Sequence, residues 1–224
     1  DPVMSRGLGD VYKRQISYSS HQRALNAWDN GYFKKQILEV PEALHKDEGV
    51  REETTKEILS QLKPAFKPDG VITAGNSSQI SDGAAALLLV SEDILNKFNL
   101  EPIAKIKSMA VVGTDPVLML SGPIPATRKA LDQAKLKPED INLAEINEAF
   151  SSVVGAWRKE FPEINYENVN ANGGSIAIGH PLGATGARLM TNLIHEMKRN
   201  KLKYGLQAIC EGGGTANATI VELV

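Results

Sequence analysis

Two side chains in this 224-residue sequence stand where they could move protons. His180 lies between Gly179 and Pro181, inside a stretch from Asn170 to Gly186 that holds five glycines. Imidazole titrates near neutral pH, and a glycine-rich run leading into a helix offers backbone amides to an anion or a developing oxyanion. A turn histidine bonded to backbone is the other reading of the same residues. Cys210, the single cysteine, ends an apolar run and precedes Glu211, Gly212, Gly213 and Gly214. A lone cysteine is ordinarily a buried, inert thiol, and the three glycines tilt the expectation toward an exposed sulfur beside backbone amides. Asn147, within Glu145-Ile-Asn-Glu-Ala-Phe150, falls where a strand gives way to a helix, so it either caps the helix or orients water or substrate. A polar turn from Ala74 to Gly83 carries Ser77 and Ser78, either as donors near a ligand or as an ordinary β-turn. The remaining histidines, His21, His45 and His195, sit among polar and charged residues without ligand spacing, so no metal centre is expected.

These residues need elements to hold them. Ser19 to Val40 places Ala24, Leu25, Ala27, Trp28 and Phe33 at helical spacing, interrupted at Gly31, and Thr55 to Leu62 reads as a short helix. The continuous apolar run Ala84 to Val90 has strand length, and Ser91-Glu-Asp93 is an N-cap with acids in the first turn of a helix reaching Asn99. Strands are expected at Ile103 to Val112, Ile141 to Ile146, Leu206 to Cys210 and Ala218 to Val224. Helices are expected at Pro125 to Ala134, Glu148 to Glu160 and Thr185 to Lys198. This alternation predicts an α/β fold whose ligands lie near strand ends and helix N-termini.

Composition narrows the function. The 25 basic and 27 acidic residues give a net charge of −2, with no basic stripe for nucleic acid. No apolar stretch approaches the roughly 20 residues that span a bilayer, so no membrane partner is expected. One cysteine forms no internal disulfide, which favours a reducing compartment. Residues 1–15 lack a secretory h-region and clear periodicity, and they read as a disordered or artefactual tail.

Asn147-Glu-Ala-Phe150, Gly179-His180-Pro181 and Cys210-Glu-Gly-Gly-Gly214, in this order, resemble the C-terminal half of the thiolases, the acetyl-CoA acetyltransferases and 3-ketoacyl-CoA thiolases. Gly75-Asn-Ser-Ser78 with Asp82-Gly-Ala-Ala85 adds a fourth match. The resemblance implies a mixed five-stranded sheet covered by helices, with the C-terminal half complete and the N-terminal half largely absent. It divides the chain into 16–78, a remnant of the loop domain that covers CoA, 79–100, the end of the N-terminal domain, and 101–224, the C-terminal domain. It implies that the family's acyl-accepting cysteine lies upstream, and that Cys210 matches a different cysteine, the acid/base for the substrate α-carbon or the CoA thiol. His180 would activate the nucleophile and bind the thioester oxygen, Asn147 would hold the water completing that oxyanion site, and the Gly212 amide would serve a second one. Ser78, Arg51, Met119 and Phe150 would contact CoA or substrate. Gln79, Ser81 and Glu211 depart from the family's common Gly, Asn and Ile. CoA and acyl-CoA would be substrates, with no cofactor, in a homodimer or homotetramer. The cytoplasm is the expected location, with mitochondrion or peroxisome the eukaryotic alternatives. The resemblance thus implies a thiolase, present as a fragment inactive by itself. The competing readings are a non-catalytic CoA-binding or interaction module and a ketoacyl-synthase-type condensing enzyme, the latter disfavoured by Cys210-Glu-Gly-Gly-Gly.

Overall fold

The computed structural model describes residues 10–42 and 44–224. Seven α-helices are described: α1 (Asp10–Asp29), α2 (Lys56–Ser60), α3 (Glu92–Phe98), α4 (Pro123–Ala134), α5 (Ser151–Glu160), α6 (Ser175–Ile178) and α7 (Thr185–Asn200). The strands are β1 (Ala104–Gly113), β2 (Leu143–Ile146), β3 (Tyr204–Cys210) and β4 (Thr215–Leu223). Local chemistry sets several boundaries. The Thr55 hydroxyl accepts from the Ile58 amide at 3.1 Å to start α2, and the Ser91 hydroxyl accepts from Ile94 at 3.4 Å to start α3. Glu92 and Asp93 at the start of α3 and Lys97 in its last turn match the helix dipole.

The sheet has the order β1-β4-β3-β2, with β1/β4 and β4/β3 antiparallel and β3/β2 parallel. Its strands alternate faces with the period of two that a pleated strand imposes. Leu206, Ala208, Ala218 and Ile220 join Ala130 of α4 and Trp157 of α5 in one core. Leu143 and Val221 meet Leu193 and Met197 of α7 in another. Helices thus cover both faces, as the alternating pattern requires. The turn between β3 and β4 depends on Gly214, at φ +87°, because a Cβ there would lie 2.7 Å from the Thr114 carbonyl oxygen.

Several expectations change. The fifth strand is reduced to one parallel bridge, Val169 to Ala144. Asn170 follows at φ +52°, and its side chain takes over the strand's work. The Ile146 amide donates to Asn170 Oδ1 at 2.8 Å, and Asn170 Nδ2 donates to the Ile146 carbonyl at 2.9 Å. Four strands are therefore present among the described residues, not five. Ala84 to Val90 forms no ladder there, and Leu88 and Leu89 are exposed by 81% and 68%. An apolar run becomes a strand only where a partner backbone lies beside it. Residues 10–15, expected in a disordered tail, form the first turns of α1, where Tyr12 packs against the main core. Tertiary packing holds a helix there despite weak periodicity, and residues 1–9 lie outside the described residues. α1 ends at Asp29, short of the expected Val40, and α5 starts at Ser151 because Asn147 and Glu148 turn inward before it.

Candidate active site

Parallel pairing of β2 with β3 brings their carboxyl ends to one edge of the sheet. Ile146 pairs with Ala208, and the next amide, Asn147, donates to the Ala208 carbonyl at 3.0 Å. Cys210 closes β3 two residues further on, so Asn147 and Cys210 share the edge where α/β sheets bind ligands.

His180 reaches this edge from the glycine-rich loop between α6 and α7. Gly179 before it has φ +92°, a conformation that favours glycine, and Ser81 leaves no room for a Cβ. The loop is stapled by Gln79. Its carbonyl accepts from the His180 amide at 3.0 Å, and its side-chain amide donates to the carbonyls of Gly49 (2.7 Å), Ile176 (2.8 Å) and Ala177 (3.1 Å). The residue that departs from the family pattern is thus built into the support of the histidine. His180 Nδ1 lies 2.7 Å from Thr185 Oγ1, and Nε2 lies 3.3 Å from Asn147 Nδ2. Burial, and then the charge of Arg188, hold the imidazole below its ordinary pKa and favour its neutral form.

Asn147 is fully buried, and its Oδ1 accepts from the Ser175 hydroxyl at 2.7 Å. It does not cap α5, whose N-cap is Phe150 without a side-chain bond. Beside it Glu148 accepts from Ser20 of α1 (2.7 Å), Asn170 (2.9 Å) and the Ile176 amide (3.1 Å), tying the strand edge to α1 and α6. Burial raises the carboxyl pKa of Glu148 against the pull of those bonds.

Cys210 is buried, not exposed as the three glycines suggested. Burial pushes its thiol up to about 11. The protonated thiol therefore dominates at neutral pH, and thiolate becomes available only as pH climbs toward that value. Iodoacetamide near about pH 8 is expected to alkylate Cys210 roughly two orders of magnitude more slowly than an unperturbed thiol. Mass spectrometry of the time course checks this, and a rate equal to that of free cysteine would contradict the burial.

The other expected residues distribute unevenly. Gly212 is exposed at the start of the turn after Cys210. Met119, half-buried with φ +21°, lies in the loop whose Thr114, Asp115 and Pro116 abut Gly214. The Ser78 amide donates to the Ala149 carbonyl at 3.0 Å, and Ser77 bridges to Phe150, whose ring meets Phe66 at 6.0 Å. Arg51 is exposed, and its amide donates to His21 Nδ1 at 3.2 Å. Sequence reading passed over Ser175, Thr185, Glu148 and Arg188. One signal was available for Arg188, because a cation near the N-terminus of α7 opposes the helix dipole and needs another reason to be there.

Among the described residues no helix is long and apolar enough to cross a membrane, and no cluster of three or more His, Cys, Asp or Glu is placed to hold a metal ion.

Comparison with known proteins agrees with this architecture. The family model for the thiolase C-terminal domain matches residues 100–223, and that for the thiolase N-terminal domain matches residues 14–93. A steroid 3-ketoacyl-CoA thiolase of Mycobacterium tuberculosis is 48% identical over 211 residues, covering 93% of this chain and 51% of the relative. A 3-ketoacyl-CoA thiolase of Bacillus subtilis is 46% identical over 220 residues, covering 91% of this chain and 56% of the relative. The crystal structure of the Bacillus anthracis acetyl-CoA acetyltransferase superposes with a TM-score of 0.93 at 40% identity, over 99% of this chain and 58% of that one. Human mitochondrial 3-ketoacyl-CoA thiolase in complex with CoA gives 0.91 at 38% identity, over 98% of this chain and 56% of that one. The chain spans little more than half the length of these relatives, and its fold is part of theirs. By sequence and by fold, the chain belongs to the thiolase family.

Proposed function

We propose that this chain supplies the acid–base and oxyanion-binding part of a thiolase, which cleaves 3-ketoacyl-CoA with CoA or, in reverse, condenses two acetyl-CoA units. The observation that carries this reading is the joint placement of His180, Asn147 and Cys210 at the carboxyl edge of β2 and β3. In the forward direction a cysteine upstream of these residues, implied by the family resemblance, gives its proton to His180 Nε2 and attacks the 3-keto carbon. The bond between C2 and C3 then breaks, and its electron pair moves onto C2 and the thioester oxygen. Donors at His180 and an Asn147-held water stabilise that charge, and the Gly212 amide serves a second oxyanion site, the type of interaction whose single donors are worth about 10²–10³ in kcat.

Cys210 gives its proton to C2, releasing acetyl-CoA. Its raised pKa suits this, because the group must be protonated before the step. The Cys210 thiolate then takes the proton of incoming CoA, whose sulfur attacks the acyl-enzyme carbonyl. The enzyme thioester bond breaks, the shortened acyl-CoA leaves, and the released cysteine thiolate recovers its proton from His180. Ser78, Phe150 and Met119 flank the edge and would contact the CoA arm and acyl group, and Arg51 would contact CoA. This reading takes CoA and acyl-CoA as substrates with no bound cofactor, a homodimer or homotetramer as the assembly, and the cytoplasm as its location.

The test is thiolysis of acetoacetyl-CoA and longer 3-ketoacyl-CoA esters with CoA. It uses the 224-residue chain and the same chain extended upstream by its own gene, each beside Cys210→Ala. The expected result is no turnover by the shorter chain, turnover by the extended one, and its loss in the variant. An extended protein inert toward every 3-ketoacyl-CoA sinks the proposal and favours a non-catalytic CoA-binding module.

A further inference from the structure

The contacts around His180 form a chain of hydrogen bonds with a fixed sense, anchored at each end by a group of one polarity. At one end Arg188 Nη2 donates to Ser175 Oγ at 3.0 Å and to the Gly179 carbonyl at 3.2 Å. A guanidinium has no acceptor, so the Ser175 hydroxyl must send its own proton elsewhere. It goes to Asn147 Oδ1 at 2.7 Å, and this turns the amide so that Nδ2 faces His180 Nε2 at 3.3 Å. An NH₂ group only donates, so Nε2 must be the unprotonated ring nitrogen. The proton then sits on Nδ1, 2.7 Å from Thr185 Oγ1. The Thr185 hydroxyl directs its own proton to the Pro181 carbonyl at 2.9 Å, so it accepts from Nδ1. The backbone carbonyl closes the chain as surely as the guanidinium opens it.

We propose that Arg188 is a positioning residue that, through Ser175 and Asn147, fixes the tautomer of His180 with Nε2 unprotonated. It touches no reacting atom in this reading, which rests on His180 as the proton-accepting group of the proposed thiolase reaction. The burial of the guanidinium supports the assignment. Its Nε and Nη1 are out of reach of solvent and meet no acceptor among the described residues. A cation enters such a place at a cost, and Glu145, Asp47 and Glu148 act on it electrostatically without a salt bridge to Arg188 among the described residues. The bonds that remain to explain its place are those to Ser175 and Gly179, the second of which also fastens the residue before His180.

Removing Arg188 leaves the Ser175 hydroxyl free to accept instead of donate. The Asn147 amide can then turn over and present Oδ1 to the imidazole, which favours protonation at Nε2. That tautomer cannot take a proton from a nucleophile on the Asn147 side.

The test is long-range ¹H–¹⁵N correlation NMR on the ¹⁵N-histidine-labelled 224-residue chain, which reports which ring nitrogen carries the proton and does not depend on turnover. The native chain should show His180 with Nδ1 protonated. In Arg188→Met the Nε2-protonated form should gain on it by about tenfold, the scale of one hydrogen bond. Ser175→Ala, which breaks the relay while keeping the buried cation, should do the same and serves where Arg188→Met does not fold. A native His180 protonated at Nε2 overturns the proposal, as does an unchanged tautomer in either folded variant. Absence of thiolysis together with the expected NMR pattern would refute the proposed reaction and leave the relay standing.

Discussion

Alanine at His180 is expected to lower kcat/KM for acetoacetyl-CoA thiolysis in the upstream-extended protein by about 10²–10⁴, the usual contribution of a positioned acid–base group. The substitution removes the acceptor facing Asn147 Nδ2 and the donor to Thr185. Steady-state kinetics on protein with an unchanged thermal transition checks it. A loss of tenfold or less would move the proton-accepting role elsewhere. The native enzyme's pH profile carries a second signature. Only neutral imidazole accepts a proton, and burial with Arg188 nearby keeps the pKa of His180 below 6.5. Activity should therefore hold through pH 7 and fall only as pH drops below that value. An acid limb centred above it would show the charged form being stabilised, contrary to the surroundings described.

Trp157→Ala should have the largest effect on stability. The indole is fully buried, packs against Phe161 at 5.0 Å between centroids, and donates from Nε1 to the buried Thr127 hydroxyl at 2.9 Å. Truncation leaves a cavity in the core under α4 and α5 and strands the threonine's acceptor. Such large-to-small changes cost about 3–5 kcal/mol, a large part of the 5–15 kcal/mol or so that ordinarily holds a domain folded. Urea titration followed by circular dichroism reads the shift in midpoint. A change under about 1 kcal/mol would mean the site collapses around the gap and the packing there is loose.

The C-terminal architecture was open to sequence reading because its signals are local. Ser91 before two acids marks α3, the glycine triplet marks the turn from β3 to β4, and Thr185 to Asn200 repeats Leu189, Leu193 and Met197 at helical spacing. Ala84 to Val90 misled for the opposite reason. Its composition specifies a buried strand, but pairing belongs to the partner, and none lies beside it among the described residues. His180, Asn147 and Cys210 stood out because few residue types can do their chemistry. Their support did not, because Glu145, Glu148 and Arg188 read as solvated charges in a linear sequence. Only the fold shows Glu145 and Glu148 buried and Arg188 turned inward. The cysteine failed in the same way, since a glycine-rich neighbour says nothing about whether tertiary packing buries the sulfur.

The side-chain amide of Asn170 on Ile146 also limits how the sheet can grow. A sheet edge with bare N–H and C=O groups is a template on which another chain can add and seed aggregation. At the β2 edge both groups of Ile146 are already occupied by Asn170. At the opposite edge β1 shifts register between Ile106 and Ser108 and carries Lys105 and Lys107, both paired to Glu222, an irregular and charged border that a second strand fits poorly. One border is therefore guarded by several features and the other largely by a single amide. Resistance to edge-to-edge polymerisation at β2 consequently places its own demand on Asn170, independent of any demand made by catalysis.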